Sequence, residues 1–166
     1  MISHAPSLLV CTSAMFIWVA SPSAEGDLDH ELEETVGCDA IPVAVWTAFQ
    51  KLFPKATLDR CTQEEEMGKS AYELTSSEGE ARRDTLFYPD GRLIVVEERI
   101  SAADLPESVL RSWDERYAND KIILAEKVMR GDTVTYEIQS LNGPKPRETV
   151  FDGSGRELKT LSAPKR

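Results

Sequence analysis

The stretch IPVAVWTAFQKLFP, residues 41–54, predicts an amphipathic helix, and a related stretch, LPESVLRSWDERYA, follows at residues 105–118. In both stretches the large apolar residues are spaced three or four apart, which places them on one side of a helix. A proline is tolerated near the start of each helix because first-turn amides lack intrahelical partners, and Pro54 is expected to end the first helix. The chain is therefore expected to make the same helix twice.

A shift of 64 residues aligns the two halves of the chain beyond these helices. Pro42 then matches Pro106, and Phe87 matches Phe151. Over residues 72–92, nine of 21 positions are identical to the residue 64 places further on. At average composition, roughly one identity would be expected by chance. These identities predict a tandem duplication.

The segments after each helix alternate apolar and polar residues and are separated by turn signals. Gly91 in YPDGR and Gly155 in DGSGR suit tight turns, because glycine adopts positive φ readily. The candidate strands are 56–62, 70–76, 83–88 and 92–98, followed by 120–129, 133–140, 147–152 and 156–161. The expected fold class is α+β, with two tandem helix-plus-antiparallel-meander units and the helices packed on one face of the sheet.

The first two dozen residues have the composition of a secretory signal peptide. Residues 8–20 are apolar and uncharged, and small residues suited to signal peptidase follow them. The apolar run is short for a membrane crossing of about 20 residues. The region before it has no Lys or Arg, so a retained anchor is the alternative. The predicted segments are a signal peptide at 1–24, a flexible acidic leader at 25–37, and repeats at 38–100 and 101–166.

Removal of the signal leaves two cysteines, Cys38 and Cys61, and an even count suggests a disulfide in an exported protein. A helix over residues 41–53 is about 18 Å long. A strand returning from residue 56 to 61 covers about 17 Å. The two cysteines are therefore expected to meet at the same end of a helix–strand hairpin. Two separate buried thiols are the alternative.

The charge balance disfavours nucleic acid and anionic membranes as partners. The net charge is −10, and the 19 basic residues form no cluster of the kind that binds a phosphate backbone. The only histidines, His4 and His30, lie in the signal and the leader, so a Ser-His-Asp or Cys-His site lacks a base. The sequence also lacks zinc-ligand spacing and a phosphate-binding glycine loop. It predicts a protein without catalytic residues, cofactor or metal, and without membrane contact after signal cleavage.

The ordered motifs IP-x-x-V-x-x-x-F-x-x-x-FP, YEL and LFYPDGRL resemble the PepSY-like group, whose members are also described as resembling a beta-lactamase inhibitor protein. The resemblance covers residues 41 to about 160. The second half departs from it, since Ala118 and Asn119 replace Pro54 and Lys55. The resemblance implies an envelope binding domain without catalysis, similar to modules that inhibit or chaperone peptidases, and it supplies no catalytic residues.

Glu73 and Glu137 are the most informative charges. Each follows a tyrosine in a strand, so each points to the face opposite that tyrosine. One interpretation makes them matched anchors for a partner on the open face of the sheet. The other makes them solvated strand residues that pair with Arg83 and Arg147 across their hairpins.

Leu86, Tyr88 and Val150 would add apolar area to the same open face, which is typical of a partner site. The predicted function is an exported non-catalytic protein-binding module, with peptidase or hydrolase inhibition as its finer form. Its partner is an unknown protein of the cell envelope, in the periplasm or outside the cell. The alternative is an envelope sensor or carrier that holds a small apolar ligand between sheet and helices. An apolar pocket of about 300 Å³ or more would favour that alternative.

Overall fold

The computed structural model describes residues 34–162, and one antiparallel sheet of nine strands dominates it. Each strand pairs with the next strand along the chain. The strands are β1 (Glu34–Val36), β2 (Thr57–Glu66), β3 (Lys69–Glu78), β4 (Ala81–Phe87), β5 (Leu93–Ile100), β6 (Lys121–Arg130), β7 (Thr133–Asn142), β8 (Lys145–Asp152) and β9 (Glu157–Ser162). The helix α1 (Val43–Leu52) precedes β2, and a 3-10 turn (Ala102–Asp104) and the helix α2 (Glu107–Tyr117) precede β6.

The predicted fold class of two tandem helix-plus-meander units is wrong. β5 pairs with β6 from Val96 opposite Met129 to Ile100 opposite Ala125, so a single sheet continues through the middle of the chain. The two helices have only 10 and 11 residues, and strands make up most of the described chain. The physical reason is that two separate meanders would each leave a long edge strand with unpaired backbone groups, and joining them satisfies those groups.

One face of the sheet contacts both helices. α1 buries Val45 and Phe49, and α2 buries Val109 and Trp113. In each helix the two residues are four apart, so they lie on the same side. The strand residues buried against them are Cys61, Leu74, Phe87, Ala125, Ile138 and Phe151. This helix-bearing face contains two apolar clusters, one under each helix.

Several local features of the fold recur at a spacing of 64 residues. The pairing of β2 with β3 changes register after Leu58, and the pairing of β6 with β7 changes register after Ile122. The β4–β5 turn contains Gly91 with φ +84°, and the β8–β9 turn contains Gly155 with φ +83°. These matches agree with a tandem duplication, which stays a prediction.

The end of the predicted acidic leader forms the edge strand β1, which pairs with β2. Val36 lies opposite Cys61, and Cys61 forms a disulfide with Cys38, at a Cα–Cα distance of 5.3 Å. A three-residue strand is too short to produce a recognisable alternation, so the sequence pattern did not predict it. The predicted signal peptide and the leader before Glu34 lie outside the described residues.

Candidate protein-binding face of the sheet

The face of the sheet opposite the helices carries a row of carboxyl groups. Residues directly opposite each other on paired strands lie on the same face, and so do residues two apart on one strand. By these rules Glu73 and Glu137 lie on the same face. Glu73 lies opposite Leu86 and Glu137 lies opposite Val150, and the pairings of the strands between them link the two positions. We call this the acidic face and define it by seven of its carboxyl groups, which belong to Glu66, Glu73, Asp84, Glu97, Glu126, Glu137 and Glu148.

The structure brings the five predicted partner-binding residues to this one face but buries four of them. Glu73 and Leu86 are 4% and 2% exposed, and Glu137 and Val150 are 8% and 2% exposed. Tyr88 is half-buried and packs against the apolar cluster that contains Leu86. An exposed apolar patch is therefore the wrong description of these residues. Partner binding by them stays a prediction.

The burial follows from a curl of the sheet toward the acidic face. Arg130 Nη1 lies 3.3 Å from Glu66 Oε1, although their strands, β6 and β2, are four strand spacings apart. In a flat sheet that separation is about 19 Å, which is more than these two side chains span together. The acidic face is therefore concave, and its side chains shield one another from water.

The six acidic residues that are buried as whole residues all lie on the acidic face, and none of the lysines and arginines whose exposure the structure describes is buried. The six buried acids are Glu66, Glu73, Glu97, Glu126, Glu137 and Glu148. Removing a carboxylate from water is costly unless a cation or several donors compensate for the lost hydration. The acidic face is thus short of positive charge at its centre.

Three arginines at the edges of the face supply part of the missing charge. The closest approaches are Arg60 to Glu73 at 3.2 Å, Arg130 to Glu66 at 3.3 Å and Arg99 to Glu126 at 3.7 Å. The Arg99 contact is the longest of the three, and the side chain of Arg99 is 45% exposed. Arg99 is therefore the arginine that an incoming group could most easily displace.

Burial changes the protonation of the central carboxyl groups. Burial, and after it the nearby charge of Glu137, raises the pKa of Glu97 to about 9. Burial, and after it the nearby Glu148, raises the pKa of Glu137 to about 8. Burial also raises the pKa of Glu126, to about 7, although Arg99 opposes this shift. At pH 7 the carboxyl groups of Glu97 and Glu137 are therefore mostly neutral.

Three carboxyl oxygens of the acidic face are buried without a hydrogen-bond partner among the described residues. They are Oδ1 of Asp84, Oε1 of Glu97 and Oε1 of Glu148. A buried polar atom without a partner costs about 1–3 kcal/mol, so proteins normally avoid it. Such an atom calls for an explanation, for which strain, function or an absent binding partner are the usual ones.

The predicted pairing of Glu73 and Glu137 with Arg83 and Arg147 is wrong. Arg83 lies opposite Ser76, which is three residues along β3 from Glu73, so alternation sends the two side chains to opposite faces. On the helix-bearing face, Arg83 donates to Glu98 at 2.7 Å and Arg147 approaches Asp120 at 3.4 Å. Glu73 instead pairs with an arginine of β2, as described above.

Sequence reasoning missed Glu97, Glu126 and Glu148, which belong to the centre of the acidic face. Alternation could have found them, because Glu97 is two residues from Val95, the residue that lies opposite Leu86. Their burial had no local signal. It depends on the curl of the whole sheet, which the pattern of a single strand does not reveal.

The arrangement of the described residues also bears on metal ions and membranes. Within residues 34–162 no group of three or more His, Cys, Asp or Glu residues is arranged to hold a metal ion. Neither α1 nor α2, nor the short turn between them, is long and apolar enough to cross a bilayer. Both histidines precede the first described residue.

A groove of about 430 Å³ opens beside the start of α1. Its walls are formed by Cys38, Asp39, Ile41, Val43, Trp46 and Leu58. Val43 is 80% exposed and Trp46 is 39% exposed, so the groove lies at the edge of the molecule. The contact between α1 and the sheet is occupied by the buried side chains of the first apolar cluster.

Solved structures from Bacteroides share this architecture. A DUF2874 family protein from Bacteroides ovatus matches with a TM-score of 0.64 and 19% identity, over 75% of this chain and 89% of that chain. A BLIP-like protein from Bacteroides fragilis matches with a TM-score of 0.61 and 17% identity, over 74% of this chain and 86% of that chain. The chain has the BLIP-like fold.

A candidate periplasmic protein from Bacteroides eggerthii also matches, with a TM-score of 0.65 and 15% identity, over 74% of this chain and 88% of that chain. At these identities the likeness establishes the fold alone. Comparisons of the sequence with family models and with curated proteins find no match. The PepSY part of the resemblance therefore stays a prediction.

Proposed function

We propose that this BLIP-like chain is an exported, non-catalytic module that binds a protein partner on the acidic face, in the periplasm or outside the cell. The observation that carries the proposal is the concave acidic face, with its six buried glutamates and its shortage of positive charge. The names of the similar structures, BLIP-like and periplasmic, support the class and the location. In the more specific version of this proposal, the bound partner is a hydrolase that the chain inhibits.

A protein partner suits this face better than a small polar ligand. The face carries exposed arginines, Arg82 and Arg99, and the half-buried ring of Tyr88 beside a buried apolar cluster. Protein interfaces characteristically place apolar contacts at their centre and polar contacts around them. Complementary charge then selects the partner and accelerates its approach, since opposite potentials attract before contact.

Site-specific photo-crosslinking tests the proposal. A photoreactive amino acid placed at Arg82 or Arg99 would report on the acidic face, since both positions are exposed there. The matched controls are Gln50 on α1 and Arg111 on α2, which are exposed on the other side of the sheet. We expect adducts with an envelope protein of the producing cell from the first two positions and none from the controls. Equal adducts from the helix positions would contradict the proposal.

The groove beside α1 favours a second candidate, a carrier for a small apolar ligand. Its volume of about 430 Å³ lies in the range of ligand sites, and Trp46 stands in its wall. Trp113 is a buried residue of α2, and Trp18 lies in the predicted signal peptide, so in protein produced without that segment a ligand in the groove should change the fluorescence of Trp46 alone. We expect titration with a medium-chain fatty acid to shift the emission of wild type and of Trp113→Phe, and to leave Trp46→Phe unchanged if the groove binds apolar ligands.

A further inference from the structure

The acidic face lacks cationic groups at its centre, although Arg130 Nη2 and Thr75 Oγ1 are donors that are also buried there without a partner in the described chain. Oε1 of Glu97, Oε1 of Glu148 and Oδ1 of Asp84 come from three different strands, and each is buried without a partner in the described chain. Glu97 is 4% exposed and belongs to β5, the central strand of the nine. A feature that draws on several strands at the middle of the sheet is more informative than a group of acids on one loop. The group that would complete it has to bring donors and positive charge.

We infer that the partner places a basic side chain, an arginine or a lysine, against the carboxyl groups of Glu97, Glu126 and Glu137. This inference rests on the proposed function and names the chemistry of the partner. A guanidinium group carries five donors and no acceptor, and its flat fork matches a pair of carboxyl oxygens. Placed there, it would give a donor to Oε1 of Glu97, the one unpartnered oxygen that belongs to this group of three.

The basic side chain of the partner would enter the acidic face at the position of Arg99. The Nε of Arg99 lies 3.7 Å from Glu126 Oε1 at the exposed edge of the row. An ion pair of this length on a half-exposed side chain contributes little stability. The incoming cation therefore takes the place of Arg99 beside Glu126 and continues toward Glu97, while Arg99 turns outward into water.

Binding of the cation is coupled to loss of protons. In the free protein Glu97 and Glu137 hold protons at neutral pH because burial and neighbouring carboxyl groups disfavour their charged forms. The charged groups that act on this pair are Glu73, Asp84, Glu126, Glu148, Arg130 and Lys159. When a cation arrives, each neutral carboxyl group releases its proton to solvent and becomes a carboxylate that pairs with the cation. Affinity is therefore expected to rise with pH, by up to about tenfold per pH unit for each proton released.

Calorimetric titration with a hexa-arginine peptide tests the inference. Wild type is measured from pH 6 to pH 8, in two buffers whose ionisation enthalpies differ, so that released protons can be counted. The test variant is Glu97→Gln with Glu137→Gln, which keeps the shape of the neutral carboxyl groups. The matched control is Glu80→Gln with Glu115→Gln, two exposed positions away from the acidic face. Thermal unfolding at pH 6 establishes that both variants are folded.

We expect wild type and the control to release between about one and two protons per peptide at pH 7.5 and to bind within about threefold of each other. The Glu97→Gln/Glu137→Gln variant should bind at least about tenfold more weakly and release far fewer protons than wild type, because its two glutamines cannot become charged. General attraction to an acidic protein predicts the opposite order, since at this pH the Glu97→Gln/Glu137→Gln variant loses only the minor charged fraction of two mostly neutral groups. That order, or binding without proton release, would overturn the inference.

The outcome separates this inference from the proposed function. If face-specific crosslinks to an envelope protein form but hexa-arginine shows no proton-linked binding, the face binds a protein by other contacts and the inference fails alone. If neither result appears, the proposed function fails with it.

Discussion

Glu97 shows how the fold changes the chemistry of one residue. The curl of the sheet raises the pKa of Glu97 from 4.5 to about 9, first through burial and then through Glu137. Between these pH values the folded protein holds a proton that the unfolded chain has released. The free energy of unfolding therefore falls as the pH rises from 4.5 through 9, and this contribution is fully present only below pH 4.5.

Glu97→Gln should remove this pH dependence, since glutamine stays neutral at every pH. We expect the variant to match wild type near pH 5 and to exceed its free energy of unfolding by about 1–3 kcal/mol at pH 9, the usual cost of a buried group left uncompensated. Urea unfolding at pH 5, 7 and 9 measures the free energy of unfolding of the variant and of wild type. Glu80→Gln, at an exposed position, serves as control and should follow wild type. Parallel curves for Glu97→Gln and wild type would contradict the account of Glu97.

Gly91 lies in the β4–β5 turn, where it contacts α1. It has φ +84°, and a Cβ added there would lie 2.6 Å from the carbonyl oxygen of Ala44 in α1. Gly79 also has positive φ, at +61°, but a Cβ there would meet nothing within 4 Å. Gly91→Ala should therefore cost about 2–5 kcal/mol of unfolding free energy, from backbone strain and overpacking. Gly79→Ala should cost only about 1–2 kcal/mol, and equal losses in urea unfolding would show that the turn is not held against α1.

At the scale of elements, alternation and turn signals predicted the strands well. The prediction of 83–88, for example, compares with β4 at Ala81–Phe87, and the prediction of 133–140 compares with β7 at Thr133–Asn142. Two-residue periodicity is a local property, so it can be read without knowing what each strand pairs with. The continuity of the sheet across β5 and β6 could not be read in this way, because strand partners are chosen by the whole chain.

The disulfide connects β2 to the segment that precedes α1. It closes a loop between cysteines separated by 23 positions, and Cys61 is buried in the cluster under α1. Replacing both Cys38 and Cys61 with alanine should lower the free energy of unfolding by about 2–4 kcal/mol. Alanine is a suitable replacement because Ala102 and Ala125 stand 64 positions further on. Urea unfolding of the double variant and of oxidised wild type makes the comparison, and equal midpoints would contradict a stabilising role.

At the scale of the whole molecule, the decisive property is the curl that makes the acidic face concave. Each strand adds a small twist, and curvature accumulates over many strands without a signal in any one of them. The sequence therefore predicted that Glu73, Leu86, Glu137 and Val150 share a face, but it missed that the face buries them. The ion pair between Glu66 and Arg130 spans four strand spacings and had no local signature for the same reason.

A carbon-13 NMR titration of the glutamate carboxyl groups tests the buried acidic row most directly. Assignment uses Glu97→Gln, Glu126→Gln and Glu137→Gln, each of which removes one signal. We expect Glu97 to titrate at a pKa of about 9, Glu137 at about 8 and Glu126 at about 7, well above the value of about 4.3 that is usual for glutamate in water. Titration of all three near that usual value would mean that the face is open to water and would contradict the buried acidic row.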